Sequence, residues 1–268
     1  MAAKAKPNKI ITKPFLKGSS TDENTVRQSV KFLGILVITS LMTFLVCSLT
    51  SFKSDILRIL INIMIETLIL IIFLDRGAAL GTDAVARGEI LHQHIEKGID
   101  VTEGEKRIPF HSLKGYIIGF AGSFLFLIFA VILALTTQRQ MTGAGVLPSW
   151  MDTYMRRSEV SGALVQYTQS GSVSFTDAIR IVVRIMIMPF ISMAGAENRG
   201  LLLTIERLSP LLVLFPAISY GSGYLLGPSR RTRIHSEIAE NRRRRAYREK
   251  KERKNKISRT PKGPEQLN

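Results

Sequence analysis

Apolar residues in this chain gather in long runs separated by charge. Phe32 to Phe52 and Gly115 to Leu135 are each 21 residues without a charged side chain. Leu208 to Leu226 is a third uncharged run, and Ile56 to Leu74 is a fourth that carries Arg58 and Glu66. A bilayer core of roughly 30 Å takes about 20 apolar helical residues, so each run predicts a spanning helix. The fold class is therefore an all-α integral membrane protein, with transmembrane helices at 32–52, 56–74, 115–135 and 208–226. Lys53 to Asp55 leaves only a tight turn inside the first hairpin.

A fifth apolar stretch, Ile179 to Ala194, is too short to span. Arg180 and Arg184 share one helical face, Pro189 interrupts the run, and the spacing of Ser174 and Asp177 suits a capping box at its start. It predicts an amphipathic or re-entrant helix, 179–194, at the outer membrane face.

Charge sets the expected orientation. The net charge is +16, and it is concentrated at the ends of the chain. Residues 1–31 hold seven Lys/Arg against two acids, and residues 227–268 hold fifteen against five. Basic flanks stay in the cytoplasm, so both termini are expected inside, which an even number of spans permits. Reading 179–194 as a span would put the basic C-terminus outside. On this topology 1–31 is a basic, disordered cytoplasmic tail and 75–114 a cytoplasmic loop. Residues 136–207 are extracytoplasmic, and 227–268 is a polybasic cytoplasmic tail. That last segment has helix-forming composition over Arg230–Lys256, but too much charge to bury a face. Trp150 and Tyr154 suit an outer interface, Gly171 and its serines a turn, and PKGPEQLN an unstructured end. The polar residues before the first run argue against a cleavable signal peptide. No internal repeat supports an inverted-repeat transporter plan.

Candidate chemistry is sparse. Arg58, Asn62 and Glu66 are spaced by four and share a face of the second span. A charge at the centre of a span costs roughly 2.5–3.5 kcal/mol on insertion scales, so Glu66 must be neutral, paired or beside water. Folding the hairpin about Ser54 sets Glu66 level with Thr43 and Asn62 level with Cys47. Glu66, Asn62, Thr43 and Thr39 thus form a candidate intramembrane polar seam, either interhelical glue or a proton- or ion-coupling site. Arg58 lies near the outer end, where it can snorkel. Gly115 and Gly119, and Gly223 and Gly227, form two GxxxG pairs that suit close packing of spans three and four.

Glu89, His92 and Glu96 share a helical face, but without HExxH or supporting cysteine they are read as a solvated helix, and no metal or other cofactor is expected. The chain has no phosphate loop, no nucleophile elbow and no second intramembrane acid for an aspartyl protease. Its single cysteine excludes an internal disulfide. Arg242, Arg243, Arg244 and Arg245 suit anionic inner-leaflet lipid. Ribosomal RNA is a weaker partner for such a tail, and DNA is not expected.

PFHSLKGYIIG (Pro109–Gly119), IRIVVRIMIMPF (Ile179–Phe190), ERLSPLLVLFPAISYGSGYLLGPSRR (Glu206–Arg231) and the closing PEQLN resemble an uncharacterised family of multi-span membrane proteins from Clostridia-like Gram-positive bacteria. The family pattern has Pro where this chain has Ser112. The resemblance implies a multi-pass protein of the bacterial cytoplasmic membrane and no particular activity. It draws attention to a candidate outer-face cluster of Arg180, Arg184, Glu206 and Arg207, able to pair internally or to hold an anionic headgroup. The leading expectation is a non-enzymatic assembly, scaffold or accessory component that contacts anionic lipid or a membrane partner. The alternative is a transporter or channel subunit using Glu66.

Overall fold

The computed structural model describes residues 12–49, 54–137, 157, 175–195 and 198–259. The described residues form an all-α fold. Among the described residues eight helices follow in order: α1 Glu23–Leu49, α2 Asp55–Glu96, α3 Glu103–Arg107, α4 Lys114–Thr136, α5 Phe175–Met186, α6 Met188–Ala194, α7 Arg199–Leu225 and α8 Gly227–Arg259. Four of them, α1, α2, α4 and α7, are long and apolar enough to cross a membrane. The expected anchors Trp150 and Tyr154, the turn near Gly171, the Ser174 cap, Lys53 and the PKGPEQLN end lie outside the described residues.

Successive spans alternate in direction. One end of the bundle gathers Glu23, Lys114 and Leu225 and is called the tail end; the far end gathers Leu49, Asp55, Thr136 and Arg199. The core is α4, α7 and α2, with α7 packed along both of the others. Gly115 and Gly119 let α4 meet α7: a Cβ at Gly119 would lie 3.1 Å from the Ala217 Cα. The second GxxxG pair corrects the expectation. Gly223 and Gly227 face α2, where added Cβ atoms would lie 2.9 Å from the Leu74 Cα and 2.8 Å from the Gly81 Cα. Parallel helices thus approach through small residues on both sides, because Gly77 and Gly81 of α2 are the matching pair.

Three other expectations change. Residues 75–114 are not a loop over most of their length, since α2 runs 42 residues to Glu96. Ala, Leu and Arg after Leu74 sustain the helix, and Gly98, at φ 71°, ends it. A capping box, Thr102 with Glu105, then starts α3. Residues 12–31 are also ordered. The Leu16 amide donates to the Gly88 carbonyl at 3.1 Å and the Gly18 amide to the Phe110 carbonyl at 3.1 Å, and α1 begins at Glu23. Finally, the basic C-terminal segment does bury a face: the first turns of α8 dock on α2 through Arg231 and His235.

Candidate functional site

The stretch 175–195 forms a broken helical hairpin that enters the bundle from the far end and returns to it. The entering limb, α5, is amphipathic. Ile179, Arg180 and Val183 are buried against α4 and α7, while Ile181 is exposed. The helix stops at Ile187, whose amide still bonds the Val183 carbonyl at 3.0 Å. Pro189 lies in the first turn of α6, where its missing N–H costs nothing. At the break Met186 packs against the central core cluster that holds Phe32, Leu36 and Phe73. The returning limb, α6, lies between α1 and α2 and ends at Gly195, beside the Arg58 guanidinium. The re-entrant form of the 179–194 expectation is the one that describes this geometry.

Two polar clamps hold the hairpin. At its entry, Glu206 of α7 is 2% exposed. Arg184 donates to Glu206 Oε1 from Nε at 2.7 Å and from Nη2 at 2.6 Å. Arg180 Nε lies 3.4 Å from the same oxygen, and its Nη1 reaches Asp177 at 3.3 Å. The Thr137 hydroxyl donates to Oε2. Burying a carboxylate is tolerable only when it is paired and hydrogen-bonded in this way. The predicted outer-face cluster is therefore an internal lock. Arg207 is not part of it; one residue past Glu206 on α7, it is exposed. At the hairpin's exit, Asn62 donates to Ser192 Oγ at 3.1 Å and to the Arg58 carbonyl at 2.8 Å, and accepts from the Cys47 thiol at 3.4 Å. Arg58 pairs with Asp55 at 2.9 Å.

Glu66 lies one turn deeper than Asn62. With Thr39, Ser40, Thr43, Met186, Phe190, Leu212 and Pro216 among its neighbours, it lines a cavity of about 20 Å³, enough for one water. The three hydroxyls donate to carbonyls of their own helix: Thr39 to Ile35 at 2.8 Å, Ser40 to Leu36 at 2.7 Å and Thr43 to Thr39 at 2.7 Å. Their oxygens remain acceptors. Pro216 has no N–H to offer the Leu212 carbonyl. Among the described residues Glu66 has no ion-pair partner. Glu66, Thr43 and Thr39 of the predicted seam meet at this cavity, while Asn62 is engaged one turn away in the exit clamp, and a third party stands between the two helices. α1 and α2 approach each other at few points, and the hairpin fills the space between them. Sequence reasoning missed Ser192, Ser40 and Pro216; the proline in an otherwise apolar span was the available signal.

At the tail end Glu89, well beyond the apolar part of α2, accepts from Arg231 Nη2 at 2.8 Å and pairs with His235 Nε2 at 2.7 Å. Burial opposes its charge, yet the hydrogen bonds and positive charges of Arg231 and His235 hold its carboxyl below the ordinary range. The helical face of Glu89, His92 and Glu96 is therefore divided: His92 turns to Glu96 at 3.4 Å while Glu89 turns inward. Lys114 and Asp22 form a buried pair at 2.9 Å. Arg242 to Arg245 are all exposed on α8. Set against family models, curated proteins and solved structures, the chain matches none.

Proposed function

We propose that this chain is a transport component of a bacterial cytoplasmic membrane, in which Glu66 takes up and releases a proton. The observation that carries the reading is a carboxyl without an ion partner, beside a one-water cavity, at the tip of a re-entrant broken helix. Irregular backbone at membrane depth is tolerated where it is buried in protein or lines a wet cavity, and intramembrane acids mark ion and proton pathways. Sequence alone ranks an accessory role first; the hairpin facing Glu66 reverses that order. A proton suits the site better than a metal cation. A proton needs one oxygen, whereas a hard cation takes about six to eight in a converging shell, and the cavity, about 20 Å³, has room for a single water.

The step is simple to balance. A carboxylate oxygen gains a proton from the far-end side, the neutral acid forms, and the proton leaves towards the tail end. In proteoliposomes carrying a pH gradient, the protein should dissipate the gradient, and Glu66→Gln should abolish that flux while leaving the thermal unfolding profile unchanged. Equal flux in the Gln variant would remove the reading. A sodium-dependent, pH-independent flux would reassign the cargo.

A second reading has its own support. The α8 helix continues to Arg259 and presents Arg242 to Arg245 to solvent, which suits docking on anionic lipid at about 1 kcal/mol per basic residue near the surface. This is the accessory or scaffold role. Replacing the four arginines with Gln should weaken binding of full-length detergent-purified protein to anionic nanodiscs, and do so less at high salt. Binding that does not change excludes lipid contact by this segment.

A further inference from the structure

A second cavity, of about 270 Å³, opens at the tail end between the starts of α1 and α4, the middle of α2 and the end of α7. Its lining includes Asp22, Lys31, Asp83, Arg87, Lys114 and Tyr224. The Glu66 cavity lies deeper, and three aromatic rings stand between the two. Phe32 packs on Phe73 with ring centroids 5.3 Å apart and on Tyr220 at 5.1 Å. Phe32, Phe73 and Tyr220 are 1%, 1% and 5% exposed, and Leu36, Ile118 and Ala217 complete their cluster.

The order is the same on α1, α2 and α7. Along α1 the tail-end cavity reaches Lys31, the ring layer is Phe32, and the Glu66 cavity begins at Leu36. Along α2, read the other way, the Glu66 cavity reaches Phe73 and the tail-end cavity begins at Leu80. Along α7 the sequence is Pro216, then Ala217 and Tyr220, then Tyr224. Three separate segments of the chain, on α1, α2 and α7, thus put one apolar layer between the two chambers, with Leu36 and Phe73 of that layer lining one chamber and Ile118 the other.

We propose that Phe32, Phe73 and Tyr220 are the closed gate of a path joining the tail-end cavity to Glu66. A dry aromatic constriction blocks water and ions by dewetting, without a charged plug. Its rings belong to α1, α2 and α7, so a small separation of α1 from the other two breaks both ring contacts at once. The few contacts between α1 and α2 leave α1 the least restrained of the three. The tail-end cavity is then the vestibule. Its basic residues Lys31, Arg87 and Lys114 outnumber its acids Asp22 and Asp83, which discourages metal cations from entering. That proton movement is what the gate controls rests on the function proposed above; the barrier itself does not.

The test separates the two. In a Cys47→Ser background, Thr39→Cys reports on the Glu66 cavity and Ala84→Cys on the vestibule. Silver ion, a thiol-reactive probe small enough for a one-water space, is added from the face carrying α8. The protein is then denatured and its remaining thiols are alkylated and counted. Ala84→Cys should be blocked by silver in every background. Thr39→Cys should be protected with the gate intact and at least tenfold faster to react in Phe73→Ala or, should that variant not fold, in the milder Phe32→Leu. A Thr39→Cys that reacts equally fast with the gate intact overturns the inference, as does an Ala84→Cys that never reacts. In parallel, a proton leak in Phe73→Ala that persists with Glu66→Gln keeps the gate and removes Glu66 as carrier. No leak in Phe73→Ala, with Glu66-dependent flux in the parent, keeps the carrier and removes the gate.

Discussion

Asn62 donates its side-chain amide to the hydroxyl of Ser192 at 3.1 Å, joining residues 130 positions apart. Asn62 is 1% exposed and uses both amide hydrogens and its carbonyl oxygen near the far end of α2, on the Arg58 carbonyl, Ser192 and Cys47. Truncating it leaves several groups unpartnered, whereas losing the Ser192 hydroxyl leaves one. Asn62→Ala is therefore expected to destabilise by about 1–3 kcal/mol, and Ser192→Ala by nearer 0.6 kcal/mol, the average for interhelical hydrogen bonds in membranes. Unfolding in mixed micelles checks both values, and the double variant should cost less than the sum. Full additivity would mean that the two side chains do not act on each other.

The Glu206 lock makes a sharper prediction, because two arginines converge on one buried carboxylate. Glu206→Gln removes the charge but keeps the shape, leaving Arg180 and Arg184 beside a neutral amide. A loss of roughly 3–5 kcal/mol is expected, the range for removing one partner of a buried pair. Thr137→Val should cost far less. Replacing Glu206, Arg180 and Arg184 together with Leu or Met should recover much of the stability, since apolar residues of similar volume often replace buried ion pairs without loss. Thermal unfolding of the purified protein gives the ranking, and a triple variant less stable than Glu206→Gln would contradict the argument.

These two clamps show what could be read from the residues. The four spans were legible because an apolar run of about 20 residues has few other uses, and the α4 boundaries fall within one residue of the expected 115–135. Arg180, Arg184 and Glu206 are grouped through the family resemblance, and their opposite charges near one face make pairing one of two expected uses. Arg207 could not be told from Glu206 by composition; only the helical phase of α7 turns it outward. The continuation of α2 past Leu74 was hidden for a different reason. An apolar window ends where the lipid ends, whereas a helix ends where its caps lie, and the stop signal sits at Lys97 and Gly98. The same window concealed the GAALG pair, Gly77 and Gly81, which carries the α2–α7 contact. Depth was the least legible feature, since whether 179–194 lies on the membrane or enters it depends on what packs against Met186 and Ile187.

The glycine contact can be tested against an internal control. A Cβ at Gly77 would lie 3.0 Å from the Tyr224 amide nitrogen and 2.9 Å from the Tyr220 carbonyl carbon, so backbone and not a side-chain tip must move. At Gly34 of α1 there is nothing within 4 Å. Gly77→Val is expected to lower the unfolding temperature markedly and weaken α2–α7 cross-linking, while Gly34→Val should leave both unchanged or slightly improved, glycine being a poor helix former. Similar effects at the two positions would show that α2 and α7 are not held by this close approach.

Docking of α8 on α2 should depend on pH through Glu89. Its carboxyl titrates below the ordinary value of 4.5, because Arg231 and His235 favour the charged form more than burial opposes it. A carboxyl depressed in the folded state contributes stability that is fully present above its unfolded pKa and is lost as pH falls through the folded one. Docking is therefore expected to be constant from neutral pH down to the ordinary carboxylate range and to weaken only below it. Spin labels on the exposed Gln93→Cys and Arg242→Cys, in a Cys47→Ser background, report the separation of the two helices. The short distance should persist near pH 6 and broaden in the acid range. In Glu89→Gln it should be broad at every pH and show no acid transition. An acid transition that survives Glu89→Gln would assign the effect to another pair, with Asp75 and Arg230, 2.8 Å apart, the next to replace.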